Sequence, residues 1–277
     1  MKVMATIKNW LLTGDTHGRV AERLIHIPES YIPEETAIII LGDSGCNFWL
    51  NKTDAKNKKN VCRFGYTVYC VRGNHEARPE TLESVHSMYD ENVNGNVWIE
   101  DEFPNIRYFK DGGIYEFNGY RVLTIGGAYS VDKEYRLLRS GLTEETNNPA
   151  KSGWFSDELL TADEMLAIEK SVYGMSFDFV FTHTCPYSWE PRDLFLGFVD
   201  QSKVDTSMEV WMDRLKDEIK WGIFCFGHFH DDRLERPYVE QFYTNIEDIN
   251  TIWERWQHYK QTGELDQSFV KSPNFYD

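Results

Sequence analysis

The sequence predicts an α/β protein with mixed sheets and helices outside them. Three observations carry this. Short apolar runs alternate with helically spaced residues early in the chain, a later stretch has the pattern of a β-hairpin, and several of the runs stop at a glycine followed by a polar side chain. The first run, Trp10-Leu11-Leu12-Thr13, reads as a buried strand feeding the loop at Gly14-Asp15, with Val20, Leu24 and Ile27 following at helical spacing. Ala37 to Leu41 is a second run, rich in β-branched residues, ending at Gly42-Asp43, and Thr67 to Val71 a third, ending at Gly73-Asn74-His75. Pro79 suits a first helical turn and predicts a helix to about Asp90.

Further on, Ile114 to Phe117, Asn118-Gly119 and Tyr120 to Leu123 form the hairpin pattern, with a turn pair that accepts positive φ. Thr161 and Glu164 are spaced as a capping box for a helix to about Tyr173. Phe177 to Thr182 is another buried strand. Thr206 and Glu209 predict a second capping box, ahead of an apolar helix face at Met208, Trp211, Met212, Leu215 and Ile219. Ile223 to Phe226 precedes Gly227-His228, and from about residue 247 Ile249, Ile252, Trp253, Trp256 and Tyr259 describe a helical tail. With no linker, repeat or low-complexity stretch, the expectation is one domain over 1–277.

Composition narrows the class. Nine Trp, 15 Tyr and 17 Phe supply a sizeable core, and no stretch approaches the ~18 consecutive apolar residues of a membrane span. The first residues lack the long apolar segment of a secretory signal, so a cytoplasmic location is expected, with no membrane partner. The five cysteines (Cys46, Cys62, Cys70, Cys185, Cys225) contain no CxxC pair and are odd in number, which predicts buried thiols in a reducing compartment. A net charge of −16 repels a nucleic-acid backbone and argues against a nucleic-acid partner.

Six short segments collect the chemistry: Gly14-Asp15-Thr16-His17-Gly18, Gly42-Asp43-Ser44-Gly45, Gly73-Asn74-His75-Glu76, Thr182-His183-Thr184-Cys185-Pro186, Gly227-His228 and Phe229-His230. Five of the eight histidines fall inside them, each at the end of a strand-like run. A lone histidine is usually a satisfied core residue. Carboxylates, an amide and imidazoles recurring in this way instead match the donor set that divalent metals take.

The order D-x-H, GD, GNH[DE], H, GHxH resembles the calcineurin-like metallophosphoesterase superfamily over about residues 10–230. The resemblance implies a four-layer αββα sandwich, two mixed sheets flanked by helices, with the metal site at strand ends. It also implies two divalent ions, of Mn, Fe, Zn or Ni with Mn favoured. Asp15, His17 and His230 would hold the first, Asn74, His183 and His228 the second, and Asp43 would bridge both. The implied reaction is hydrolysis of a phosphomonoester or small phosphodiester by a hydroxide between the metals, with His75 as general acid and Glu76 orienting its loop.

Val71-Arg72-Gly73-Asn74-His75-Glu76 is close to the corresponding motif of the Ser/Thr protein phosphatases, but the second motif departs from that branch. Cys46 stands where the Asp supporting the catalytic His would be, and Asn47 where a phosphate-clamping Arg would be. The resemblance is therefore to the small bacterial and phage type, and Arg72 is expected in a structural ion pair. In that type the glycine-rich segment from Gly126 brings Ser130, Lys133 and Arg136 forward as substrate-binding candidates, or else as a surface loop with local ion pairs.

Two further features have open readings. Lys52, Lys56, Lys58, Lys59 and Arg63 either steer an anionic substrate or form a solvated loop. Trp189, Phe195, Phe198 and Trp211 either stack on a base or belong to the core. The expected partner is a small phosphorylated substrate or a phosphoprotein. The alternatives are a nuclease of the same superfamily, which the charge opposes, and an inactive scaffold of the same fold, which the filled ligand positions oppose.

Overall fold

The computed structural model describes residues 6–264. Strand β1 (Asn9–Thr13) is followed by α1 (Val20–Leu24), β2 (Thr36–Leu41), α2 (Lys52–Cys62) and β3 (Thr67–Val71). Next come β4 (Val85–Asp90), β5 (Gly95–Glu100), β6 (Ile106–Tyr108), β7 (Gly113–Phe117) and β8 (Tyr120–Ile125), then α3 (Lys133–Ser140), α4 (Pro149–Ser152) and α5 (Ala162–Val172). The last part runs β9 (Ser176–Thr182), α6 (Ser207–Glu218), β10 (Lys220–Phe226), β11 (Arg233–Arg236), β12 (Val239–Gln241), β13 (Ile246–Asp248) and α7 (Ile249–Thr262).

The strands form two mixed sheets, ordered β13-β1-β2-β3-β6-β5-β4 and β11-β12-β10-β9-β8-β7. Strands β1, β2, β3 and β6 run parallel, as do β8, β9, β10 and β12, while β13, β5, β4, β7 and β11 pair antiparallel at the flanks.

Alternation along the strands decides the layering, because neighbouring side chains point to opposite faces. Leu12, Ile39, Leu41 and Tyr69 of the first sheet meet Val122, Phe179, Phe181 and Ile223 of the second in one core between the sheets. The opposite faces carry their own cores. Leu11, Ile38, Ile40 and Val68 pack under Val20 and Leu24 of α1 and Val61 of α2. Leu123, Val180, Phe224 and Phe226 pack under α5 and under Met208, Trp211, Met212 and Leu215 of α6. Each such fully buried side chain contributes roughly 1.5–3 kcal/mol. The result is the predicted sequence of layers, helix, sheet, sheet, helix. The tail helix α7 belongs to neither outer layer, since Ile249 and Ile252 close the core between the sheets.

Several expected elements appear as read. Asn118 and Gly119 both have positive φ (52° and 79°) in the tight β7–β8 hairpin. Thr161 and Glu164 make both halves of the capping box on α5. Three expectations are corrected. Pro79 opens only a three-residue 3-10 turn, Pro79–Thr81, and the chain from Val85 is strand β4. Pairing explains the difference: β4 matches β5 residue for residue from Val85↔Glu100 to Asp90↔Gly95, and buried Asp90 accepts from the Tyr69 hydroxyl at 2.7 Å. Thr206 and Glu209 form no capping box. Asp205 accepts from Ser207 N at 2.9 Å, and Glu209 turns inward to accept from the Thr184 hydroxyl at 2.9 Å.

The third correction concerns the basic stretch, which is helix α2 capped by Asn51 and not a solvated loop. Lys58 is buried against Glu100 and Asn47, and Lys59 pairs with Glu102, so these two charges are engaged locally. The ends of the expected domain, residues 1–5 and 265–277, lie outside the described residues.

Candidate metal centre

Five parallel strands of the two sheets, β1, β2, β3, β9 and β10, end at the same edge of the sandwich, where ligands of open α/β sheets collect. The turn after β1 presents Asp15 and His17, that after β2 Asp43, that after β3 Asn74 and His75, that after β9 His183, and that after β10 His228 and His230. All seven predicted ligands are brought together. His17 Nε2 is 2.9 Å from His230 Nε2, which lies 3.3 Å from Asp15 Oδ2. Asp43 Oδ2 is 3.8 Å from His17 Nδ1, and Asp43 Oδ1 is 3.7 Å from His183 Nε2. His183 Nε2 is 2.8 Å from Asn74 Oδ1, and the His228 ring centre is 5.0 Å from that of His183.

The turns pay for this convergence in backbone conformation. Seven non-glycine residues among those described have positive φ, and four are His17, Asp43, His228 and His230. Such values are uncommon away from glycine and cluster at functional sites. Close packing adds to the demand. A Cβ on Gly42 would overlap the His183 imidazole, and one on Gly73 would overlap the Asp43 carboxylate.

Several hydrogen bonds fix the donors. The Leu41 carbonyl accepts from His183 Nδ1 at 2.8 Å, which leaves the Nε2 lone pair facing Asn74 Oδ1. With Nδ1 donating, the ring and the Asn74 oxygen present two acceptors face to face, which a second ring proton or a metal ion would relieve. Asp15 Oδ1 accepts from His228 N at 2.9 Å, while Asp15 Oδ2 is buried with no hydrogen bond. The residues therefore fit divalent metal. Asp15, His17 and His230 offer donors within 4.8 Å of one another, and so do Asp15, Asp43 and His183. Asp15 thus sits with both groups, a position that the resemblance reserves for Asp43 alone.

The electrostatics agree. Burial pushes the Asp15 carboxyl up, but His183, His230 and His17 outweigh it and hold it well below the carboxylate range. Asp43 is likewise lowered, against burial, by His75 and His183. Burial and His183 push His228 down to about 3, which keeps its ring neutral and its lone pair available.

His75 stands beside the cluster, its ring 5.9 Å from that of His17. Its backbone N donates to Asp43 Oδ1 at 2.8 Å, and Asn74 Nδ2 and Arg136 Nη2 approach its Nε2 at 3.3 and 3.4 Å. Burial lowers its pKa, Asp43 opposing and Arg136 adding to the effect. No carboxylate hydrogen-bonds the ring among the described residues, and Nδ1 is buried without a partner. Asp132, paired with Arg136 at 2.7 Å, is the further carboxylate whose charge favours the protonated ring. Cys46 is buried in the core below, so the missing acid of the second motif is replaced by packing. Asn47 is also buried, accepting from Lys58 Nζ.

Glu76 orients its loop as expected, accepting from Gly73 N at 2.9 Å and the Ser44 hydroxyl at 2.6 Å. Arg72 is structural, bound to Asp111 and to the Glu158 and Gly126 carbonyls. Of the three substrate candidates, Arg136 touches His75 and Ser130 lies under Asn74. Lys133 is turned away, paired with Glu144 at 2.8 Å over the Trp154 ring. Trp189 and Trp211 are core residues, Phe198 is exposed and Phe195 lines the cavity beside the site.

Some supports carried no signal in the sequence. Ser130 accepts from Asn74 Nδ2 at 2.8 Å and donates to Glu158, which also accepts from Ser130 N at 3.0 Å. This fixes which way the Asn74 amide faces. Buried Arg23 ties Thr13 to the Asp15 and Tyr243 carbonyls, and Tyr243 stacks on His230 at 4.8 Å. Asp232 braces the same region by accepting from Tyr243 N, Thr244 N and Asn245 N.

Residues 9–232 match the family model for calcineurin-like phosphoesterase. The match covers most of the chain, and the protein belongs to the calcineurin-like phosphoesterase family. Metal-dependent hydrolysis of phosphoesters is the general activity that membership supports. No curated protein matches the chain. Among the described residues no helix is long and apolar enough to cross a membrane.

Proposed function

We propose that the protein hydrolyses a phosphomonoester or a small phosphodiester at this centre. The observation that carries the reading is the convergence of Asp15, His17, Asp43, Asn74, His183, His228 and His230, with the lone pair of His183 and the Asn74 oxygen held face to face. Asp15, His17 and His230 would hold one divalent ion and Asn74, His183 and His228 the other, with Asp43 shared and Asp15 close to both. When bound, the ions would supply Lewis acidity toward the phosphoryl oxygens and toward water, with Mn favoured among the metals that this N and O donor set accepts.

The chain's own side chains do the rest. Arg136, fixed by Asp132 and by the Gly153 carbonyl, offers its remaining N–H donors to phosphoryl oxygens at the rim of the site. His75, its ring beside Arg136, would protonate the leaving oxygen, whose negative charge develops as the ester bond breaks. Asp43 holds the His75 backbone and so keeps the acid in register with the ligands. The five cysteines, Cys62 apart all buried, support placement in a reducing compartment such as the cytoplasm.

The test is hydrolysis of p-nitrophenyl phosphate, bis-p-nitrophenyl phosphate, ethyl phosphate, nucleotides and phosphopeptides by chelator-treated protein, before and after addition of Mn²⁺. Activity that is lost on chelation and returns with Mn²⁺ is expected. Full activity in the chelated protein, or none on any ester with metal bound, refutes the reading.

A further inference from the structure

A cavity of about 610 Å³ opens directly off the metal centre, its walls shared between Asp43, Asn74, His75, His228 and His230 on one side and the segment 187–206 on the other. That volume falls in the range of sites that enclose a small organic molecule, roughly 300–1,000 Å³. A phosphoryl group alone would leave most of it unfilled. The far wall has an apolar stretch made by Leu194, Phe195, Leu196 and Val199.

Phe229 joins the two sides. It lies between the ligands His228 and His230 in sequence, and its ring packs edge-on against His228 at 4.9 Å. On the far side it faces Phe195, with ring centres 6.3 Å apart and planes within 17° of parallel. Apolar surface therefore begins at the ligands themselves and continues outward over two nearly parallel ring faces.

The polar groups of the far wall carry charge of one sign for the most part. Glu190 and Glu209 line it, against the single guanidinium of Arg192. Glu209 is 5% exposed, and its Oε2 has no hydrogen-bond partner. Glu190 lies 3.8 Å from the Arg192 guanidinium, so the wall carries an excess of negative charge once Glu209 is ionised, and a leaving group with a charge of its own is disfavoured there.

Resting on the phosphoesterase reading above, we propose that this cavity is a leaving-group subsite, which selects phosphomonoesters of uncharged alcohols bearing a flat apolar ring packed against Phe195 and Phe229. The phosphoryl group sits at the metal ligands and the ring extends along the 187–206 wall. Substrates whose leaving group itself carries negative charge, such as nucleoside polyphosphates, are disfavoured by the acidic groups Glu190 and Glu209.

The experiment measures equilibrium binding, by calorimetry, of three non-hydrolysable probes to the Mn²⁺-loaded full chain: ethylphosphonate, phenethylphosphonate and para-carboxyphenethylphosphonate. Phenethylphosphonate is expected to bind roughly 10–100-fold more tightly than ethylphosphonate, the factor for burying one phenyl ring. Phe195→Ala is expected to remove most of that preference, read as the ratio of the two affinities within the same variant. The carboxylated probe is expected to lose most of the gain. Equal binding of the first two probes, an undiminished preference in Phe195→Ala, tight binding of the carboxylated probe, or binding of none of them overturns the subsite. A ring preference without ethyl phosphate hydrolysis would leave the subsite standing and remove only the phosphoesterase reading.

Discussion

On one side of the cavity stand side chains from the ends of five parallel strands; on the other runs the segment 187–206, which contains no strand or α-helix, only three short 3-10 turns. The first side works against local preference, with positive φ at four ligands and ligand side chains pressed onto Gly42 and Gly73. Hydrogen bonds hold Asp15, Asp43, Asn74 and His183 in place. The second side spends little on backbone order and exposes apolar surface, with Leu196 half-exposed. The contrast teaches where each property resides. On the proposed reading, reaction chemistry would belong to the sheet ends, which cannot shift without disturbing the sandwich, and selectivity to the loop wall.

If that division is right, the largest effect belongs to the strand ends. Asp43→Asn is expected to lower metal content and to reduce turnover by on the order of 10³-fold, because several kcal/mol of metal-derived stabilisation depend on it. Metal analysis and steady-state rates check this, and a variant with full metal and full activity would break the shared role of Asp43. Next comes His75→Gln, expected to keep its metal and lose roughly 10²–10⁴-fold in turnover. The loss should shrink for p-nitrophenyl esters, whose leaving group needs little protonation. Equal losses on alkyl and p-nitrophenyl esters would assign His75 to holding its loop.

Ser130→Ala sharpens the comparison by loosening the support behind Asn74. It frees the Asn74 amide to turn, and metal affinity is expected to fall roughly 10–100-fold. Titration of metal into the chelated variant measures this; an unchanged affinity would show that Asn74 is oriented without Ser130 and Glu158.

The smallest expected effect on activity lies on the far wall. Burial raises the Glu209 carboxyl from 4.5 to about 7. The unfolded chain releases this proton near pH 4.5 and the folded chain near pH 7, so between those values the folded state holds the extra proton and stability falls as pH rises. The loss begins above about pH 4.5, is complete above about pH 7 and amounts to about 3 kcal/mol. Glu209→Gln is expected to lack it. Urea unfolding of the metal-free proteins at pH 5 and pH 8 should show the variant gaining on the parent at the higher pH. An identical pH dependence in both would contradict the assignment.

Much of the strand-end side was legible in the sequence because its signals are local. A run such as Ala37 to Leu41 ending in Gly42-Asp43 states its own secondary structure and the residue it delivers. The ligands could be grouped because their order matched a family pattern. What failed was decided by contacts between distant segments. Strand β4 exists because β5 offers it a partner, which Pro79 does not announce. Glu209 leaves the Thr206 cap for Thr184, a residue 25 positions away in the chain. Lys133 and Arg136 lie three apart on α3 yet face Glu144 and His75, a choice set by what surrounds the helix. The bracing of Asp15 by Arg23 and of the Tyr243 turn by Asp232 likewise has no local signature.

One pairing in the first sheet has a consequence for how the protein is made. β1 is hydrogen-bonded on one side to β13, with Leu11 opposite Asp248. The Asp15 turn also leans on the Phe242 and Tyr243 backbone. A ribosome adding 5–20 residues per second takes roughly 10–50 s to travel between those two strands, and throughout that interval one edge of β1 has no partner. The nascent chain therefore carries an open sheet edge and an unbraced ligand turn until nearly all of the sandwich has emerged. Any ion held by the Asp15 group would therefore be captured late, after an interval in which the open edge is exposed to pairing with other chains.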